Sequence, residues 1–151
     1  MKIIEGNLIE LAKQGYFDTI VHGCNCFNTM GSGIAKTIKE QFPEAYAADC
    51  ATTKGNEAKL GCFTKAYVKR VDHGFTVVNG YTQYAYGGNV VNVNYDAIRK
   101  VFKSMKKYYS GKRIGYPLIG AGLAKGDWSL ISRIIDEELD GEDHTLVIFK
   151  Q

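Results

Sequence analysis

The chain has 151 residues, yet no apolar run comes near the roughly 18 residues that a bilayer-crossing helix needs. Its opening, MKIIEGNLIE, lacks the apolar stretch of a secretory leader, so the expectation is a cytoplasmic protein with no membrane partner. Cysteine is sparse. Cys24, Cys26, Cys50 and Cys62 do not make a disulfide framework in a chain long enough to build an ordinary core. Cys24 and Cys26 are spaced C-x-C, neither the C-x-x-C redox pair nor half of a zinc site, and 3 histidines leave few ligands to complete one. No metal and no other cofactor is expected. No sign of charge dominates either: 19 Lys and Arg against 16 Asp and Glu leave a net charge of +3. Arg99, Lys100, Lys103, Lys106, Lys107, Lys112 and Arg113 gather in one segment. No base-stacking aromatics interleave convincingly with these charges, so they read as a solvated helix face, which speaks against a nucleic-acid partner.

What is present is ordinary globular material, 45% hydrophobic and 23% charged, expected to form one domain over residues 1–151 and to act as a monomer. Six apolar runs read as strands: Met1–Glu5, Thr19–Gly23, Cys62–Lys69, Phe75–Tyr81, Ile114–Ile119 and Thr145–Phe149. Several, such as TIV, TVV and LVIF, are apolar without alternation, the pattern of strands covered on both faces. Four segments read as helices: Leu8–Gln14, Gly33–Asp49 with Pro43 breaking or kinking it, Tyr95–Tyr109, and Trp128–Leu139 preceded by Asp127 as N-cap. Thr52–Lys59 and the turn Asp72-His73-Gly74 read as connectors. The alternation predicts an α/β fold, a three-layer α/β/α sandwich on a mostly parallel sheet.

One short motif occurs twice. GSGIAK (Gly31–Lys36) and GAGLAK (Gly120–Lys125) each follow an apolar run and lead towards a helical segment. Neither is a P-loop, which needs G-x-x-x-x-G-K-[ST], and neither is the dinucleotide fingerprint, since Lys36 and Lys125 stand where its last Gly or Ala belongs. The physics of those motifs still applies. Glycine backbone lets an anion approach, and a following helix offers unpaired N–H groups with partial positive charge. Two such turns at strand ends suit two phosphates or the two sides of one pyrophosphate. Ile34 and Leu123 hold the same place in each turn and can wall the ligand apolarly. Asn25, leaving the second strand, can bond a hydroxyl-bearing ligand, although a loop asparagine is ordinarily a turn residue. His22 lies on the strand itself, where a histidine is ordinarily a satisfied core residue but can exchange protons near neutral pH. Tyr81, Tyr84, Tyr86 and Gln83 are candidates to cover the pocket mouth, against the usual packing role of loop tyrosines.

Taken in order, KIIEGNLIEL, VHGCNCFNTMGSGIAKTIKEQFP, VNVNYDAIRKVFKSM and PLIGAGLAKGDW resemble a macro domain across nearly the whole chain. The branch they look closest to is the small ADP-ribose 1''-phosphate phosphatases, with the ADP-ribosyl-glutamate hydrolases second. The resemblance implies an ADP-ribose pocket over a mixed six-stranded sheet. It implies adenine-end contacts from Asn7 and Leu8, with Asn7 offering an amide oxygen where relatives often carry Asp, and stacking on Phe149. Gly31, Ser32, Gly33 and Ile34 match the first phosphate loop. Gly120, Ala121, Gly122, Leu123 and Ala124 match the second, and Asn25 matches the asparagine on the distal ribose.

The sequence departs from two related hydrolases. Ile34-Ala35-Lys36 holds no carboxylate where some have Asp, and Ala124 stands where the glutamyl-ADP-ribose enzymes have Asp, which disfavours removal of ADP-ribose from proteins. The resulting expectation is hydrolysis of ADP-ribose 1''-phosphate to ADP-ribose and phosphate. His22 or Asp127 would manage a proton, and Asn25 would orient the ribose or a water. The alternatives are a non-catalytic ADP-ribose reader and a hydrolase acting on ADP-ribosylated proteins.

Overall fold

A computed structural model describes residues 1–69 and 73–150. In chain order the elements are β1 (Lys2–Gly6), α1 (Leu8–Lys13), β2 (Thr19–Cys24), α2 (Gly33–Gln41), α3 (Pro43–Cys50), β3 (Phe63–Val68), β4 (Phe75–Tyr81), α4 (Tyr95–Tyr109), β5 (Ile114–Tyr116), α5 (Trp128–Glu138) and β6 (His144–Phe149). The six strands form one sheet in the order β1-β6-β5-β2-β4-β3, in which only the edge strand β3 runs antiparallel, to β4. This is the mixed, mostly parallel α/β sheet expected from the sequence.

Both faces of the sheet are covered, which explains the unbroken apolar strands. Ile20, Cys24, Val77 and Tyr81 pack with Leu8, Ile9 and Ala12 of α1, Ile38 of α2 and Ala45 of α3. Val21, Val78, Ile114 and Leu146 turn the other way, onto Ile98, Val101, Phe102 and Met105 of α4 and Ile131, Ile134 and Ile135 of α5. Neighbouring residues in β2 therefore serve opposite layers, and His22, one residue after Val21, points into the α1–α3 layer.

Proline sets two boundaries, the first as expected and the second not. The break expected at Pro43 divides Gly33–Asp49 into two helices that meet at Phe42 (φ −128°, ψ 73°). Pro43 disfavours helical backbone at the residue before it, and it starts α3 as a first-turn residue whose missing N–H costs nothing. The fifth strand stops at Tyr116, short of Ile119, because Pro117 cannot donate to the ladder. The connector Thr52–Lys59 contains a single 3-10 turn at Glu57–Lys59, and Asp72 of the predicted turn lies outside the described residues. Part of the basic helix face is spent on ion pairs: Arg99 reaches Glu137 at 3.1 Å and Glu138 at 3.0 Å on α5, and Lys100 reaches Asp96 at 3.0 Å.

Candidate ligand-binding site

The carboxyl ends of β1, β6, β5 and β2 run parallel and open onto one cavity of about 1070 Å³. Twelve of the residues assigned to the strand ends and glycine turns border it: Asn7 and Leu8 after β1, Phe149 in β6, Asn25 after β2, the run Gly31 to Ile34, and Gly120, Gly122, Leu123 and Ala124. The two glycine turns face each other across this space. A β-carbon placed on Gly33 would lie 3.7 Å from Leu123 Cδ1, while one on Gly122 would meet nothing within 4 Å.

Each turn is built differently. In the first, Asn28, Met30 and Gly33 take left-handed φ values of 58°, 40° and 60°, and Gly33 is already the first residue of α2. Ser32, the N-cap, makes no side-chain capping bond, so the first N–H groups of α2 remain available to an anion. In the second turn Gly120 (φ 75°) and Lys125 (φ 60°) are left-handed, and the loop closes on itself through Gly126 N–H to Gly120 O at 2.6 Å and Lys125 N–H to Gly122 O at 3.0 Å. Helix α5 starts only at Trp128. The helix-terminus argument made for both turns therefore applies to the first alone, and the second is a cup of main chain.

Three assignments need correction. His22 is 1% exposed and absent from the cavity wall; its Nε2 sits 2.7 Å from Asn79 Oδ1 and its ring lies against Cys24 Sγ. Burial depresses its pKa to about 4, partly offset by the Asn79 hydrogen bond, which leaves a neutral imidazole at pH 7. It is the satisfied core histidine. Asp127 caps α5, accepting from Ser129 N–H at 2.9 Å, and does not border the cavity. Ala121 likewise is not part of the wall. Two further roles are qualified by hydrogen bonds. Asn7 Oδ1 caps α1 by accepting from Glu10 N–H at 3.1 Å, so the amide oxygen assigned to adenine already serves the helix. Asn25 borders the cavity while its amide builds its own turn, accepting from Phe27 N–H and donating to Thr29 Oγ1, both at 2.8 Å.

The segment after β4 closes one side. Gln83, Tyr86, Gly87 and Asn89 border the cavity, and Lys125 donates to Asn89 Oδ1, tying the second turn to this segment. Tyr84 instead donates to Gly55 O at 2.8 Å, and Tyr81 is buried. Sequence reasoning missed Asp49 altogether. It borders the cavity from α3, 1% exposed, with Oδ1 accepting from Tyr81 O–H at 2.7 Å. Burial raises its pKa, and the Tyr81 hydrogen bond and the Lys59 charge pull it back down. The signal was present. Ile34, Ile38 and Phe42 form an apolar stripe whose next helical positions are Ala45 and Asp49, so a carboxylate stands where a core residue belongs.

The macro-domain family model matches residues 21–135, and the chain belongs to the macro-domain family. It is 35% identical over 141 residues to an uncharacterized 17.5 kDa protein of the tk-vs intergenic region of Enterobacteria phage T4, covering 90% of this chain and 88% of that one. A shorter match, 41% identical over 46 residues, links 30% of this chain to 21% of an ADP-ribose 1''-phosphate phosphatase from Aspergillus oryzae. Among solved structures, Thermosipho africanus DarTG in complex with ADP-ribose shares the fold with a TM-score of 0.76 at 19% identity, over 97% of this chain and 40% of that one. Among the described residues no helix is long and apolar enough to cross a membrane.

Proposed function

We propose that the cavity binds ADP-ribose and that the protein hydrolyses ADP-ribose 1''-phosphate to ADP-ribose and phosphate. The observation that carries this reading is the approach of Gly33 to Leu123, which puts two main-chain cups on one cavity. The flanks fit the two ends of such a ligand. Phe149, 67% exposed, offers a ring face beside Asn7 on the β1–β6 side, while Asn25, Thr29 and Gln83 offer polar groups on the β2–β4 side. A volume of about 1070 Å³ suits a ligand of dinucleotide size, at the upper end of ordinary small-molecule sites. Family membership and the partial likeness to an ADP-ribose 1''-phosphate phosphatase support the same reading.

In this reading the uncapped start of α2 and the N–H groups of the second cup hold the phosphates, and Lys125 adds a cation at the rim. Charge spreading over the transferred phosphoryl oxygens meets donors already in place, the most economical way to lower such a barrier. The first test is a thermal-shift panel of ADP-ribose, its 1''-phosphate, AMP and NAD. ADP-ribose and its 1''-phosphate should raise the melting temperature most, since a ligand bound only by the native state stabilises it. Phosphate release from the 1''-phosphate in the presence of chelator tests the chemistry; no release would refute it.

A second reading, a reader module that binds ADP-ribose without turnover, draws on three observations. Neither glycine turn carries a carboxylate, Asn25 is engaged in its own turn, and His22 and Asp127 lie outside the wall. Calorimetry showing ADP-ribose binding, with no turnover of the 1''-phosphate or of ADP-ribosylated protein, would establish it.

A further inference from the structure

Asp49 is the one carboxylate among the described residues that border the cavity, and it is close enough to the buried Cys24 for its charge to act on that thiol. Its two oxygens are used unequally. Oδ1 accepts from Tyr81 O–H at 2.7 Å, and that hydroxyl is itself positioned by Thr64 Oγ1 at 3.0 Å. Thr64 in turn accepts from Asn79 Nδ2 at 3.0 Å, and Asn79 Oδ1 faces His22 at 2.7 Å, so a chain of buried polar groups fixes the carboxylate plane from the sheet side. Oδ2 is buried and has no partner. The charge of Lys59 acts on Asp49 through space, but its ammonium is directed to Cys26 O at 3.0 Å and Asn28 Oδ1 at 2.6 Å. A buried acceptor left unpaired costs stability, and native structures seldom keep one without a use.

We propose that Asp49 contacts the ligand, its Oδ2 accepting a hydrogen bond from an O–H at the buried end of the cavity, either a hydroxyl of the distal ribose or a water held beside it. The position fits that end. Phe149 and Asn7 belong to the β1–β6 side, whereas Tyr81 and Cys24, which flank Asp49, end β4 and β2. The inference deepens the ADP-ribose reading and rests on it.

The test is Asp49→Asn, which keeps an oxygen for Tyr81 and puts an N–H donor where Oδ2 stood. Three quantities are read: the melting temperature without ligand, ADP-ribose affinity, and phosphate release from the 1''-phosphate. The ligand-free melting temperature should hold or rise by about 2 °C, as for removal of a polar group kept at a cost to stability. If the donor is a ribose hydroxyl, affinity falls about ten- to a hundredfold; if it is a water, turnover falls by a similar factor with affinity unchanged. Tyr81→Phe, which loses the hydroxyl that orients the carboxylate, should give the same loss in weaker form and serves if Asp49→Asn fails to fold. Wild-type affinity and turnover in the variants would overturn the proposal while leaving the ADP-ribose reading intact. Should wild-type protein ignore ADP-ribose, that reading fails, and the ligand-free melting temperatures decide alone: a fall of several degrees in Asp49→Asn would make the residue purely structural and overturn the proposal.

Discussion

In GSGIAK the left-handed glycine is the third residue, Gly33; in GAGLAK it is the first, Gly120. The first turn follows backbone held by the polar pair Asn28 and Lys59, and the second packs on Val93, Ile98 and Ile131. Repeated letters thus mark a shared task, glycine backbone brought to the cavity, solved by two unrelated backbone paths. The echo locates the site and says nothing about symmetry within it.

Five substitutions probe this contrast. The largest effect is expected at Gly120, where a β-carbon would lie 2.6 Å from Val93 Cγ2 and about 3 Å from Ile131 and Ile98, on top of a φ of 75°. Gly120→Ala should cost about 2–4 kcal/mol in denaturant unfolding, from overpacking and backbone strain together. Next comes the buried His22–Asn79 pair in the α1–α3 layer. Because His22 is held neutral with a pKa of about 4 against 6.5 in the unfolded chain, the unfolded state binds the extra proton between those values. Stability is therefore complete above pH 6.5 and is lost as pH falls towards 4, by on the order of 3 kcal/mol. His144, also depressed by burial, adds in the same direction. His22→Gln should flatten most of that slope in pH-dependent melting curves. A persisting slope would move the burden to His144.

Gly122 separates ligand from scaffold. A methyl group there meets no protein atom within 4 Å, so Gly122→Ala should leave the melting temperature within about 2 °C while weakening ADP-ribose tenfold or more, read by calorimetry. Unchanged affinity would take the second cup out of the binding site. The smallest effects come from the helix caps. Asp127→Ala should cost about 1 kcal/mol by removing the bond to Ser129 N–H, whereas Ser32→Ala should cost none, since that hydroxyl caps nothing.

Much of this was legible in the chain because it rests on local rules. Apolar strand runs, the stripe on α4 and the glycine turns all follow from period and φ preference, and they point to the fold class and to the two turns that border the cavity. The break at Pro43 was legible, whereas the end of the fifth strand at Pro117 was not. For His22 and Asp127 the core and N-cap readings hold over the catalytic ones, because burial and capping, which polarity alone does not show, decide between them. A histidine on a doubly covered strand pairs with whatever the neighbouring strand supplies, and here the register sets His22 opposite Asn79. Asp49 went unread for the converse reason. The stripe Ile34, Ile38, Phe42 meets the helix break, and Asp49 stands about two turns beyond it.

Lys59 gives the first turn a further property. Its stem is 7% exposed, its ammonium is fastened to Cys26 O and Asn28 Oδ1, and Tyr46 O–H adds a bond to Asn28 O at 3.3 Å. The backbone leading to Gly31 is thus pinned from below before any ligand arrives, so this wall is rigid at the moment of encounter. The opposite wall is tied to the second turn by Lys125 to Asn89 Oδ1 and by Asn92 N–H to Ala124 O at 2.9 Å, so a ligand meets two braced walls and little conformational entropy is surrendered in ordering them.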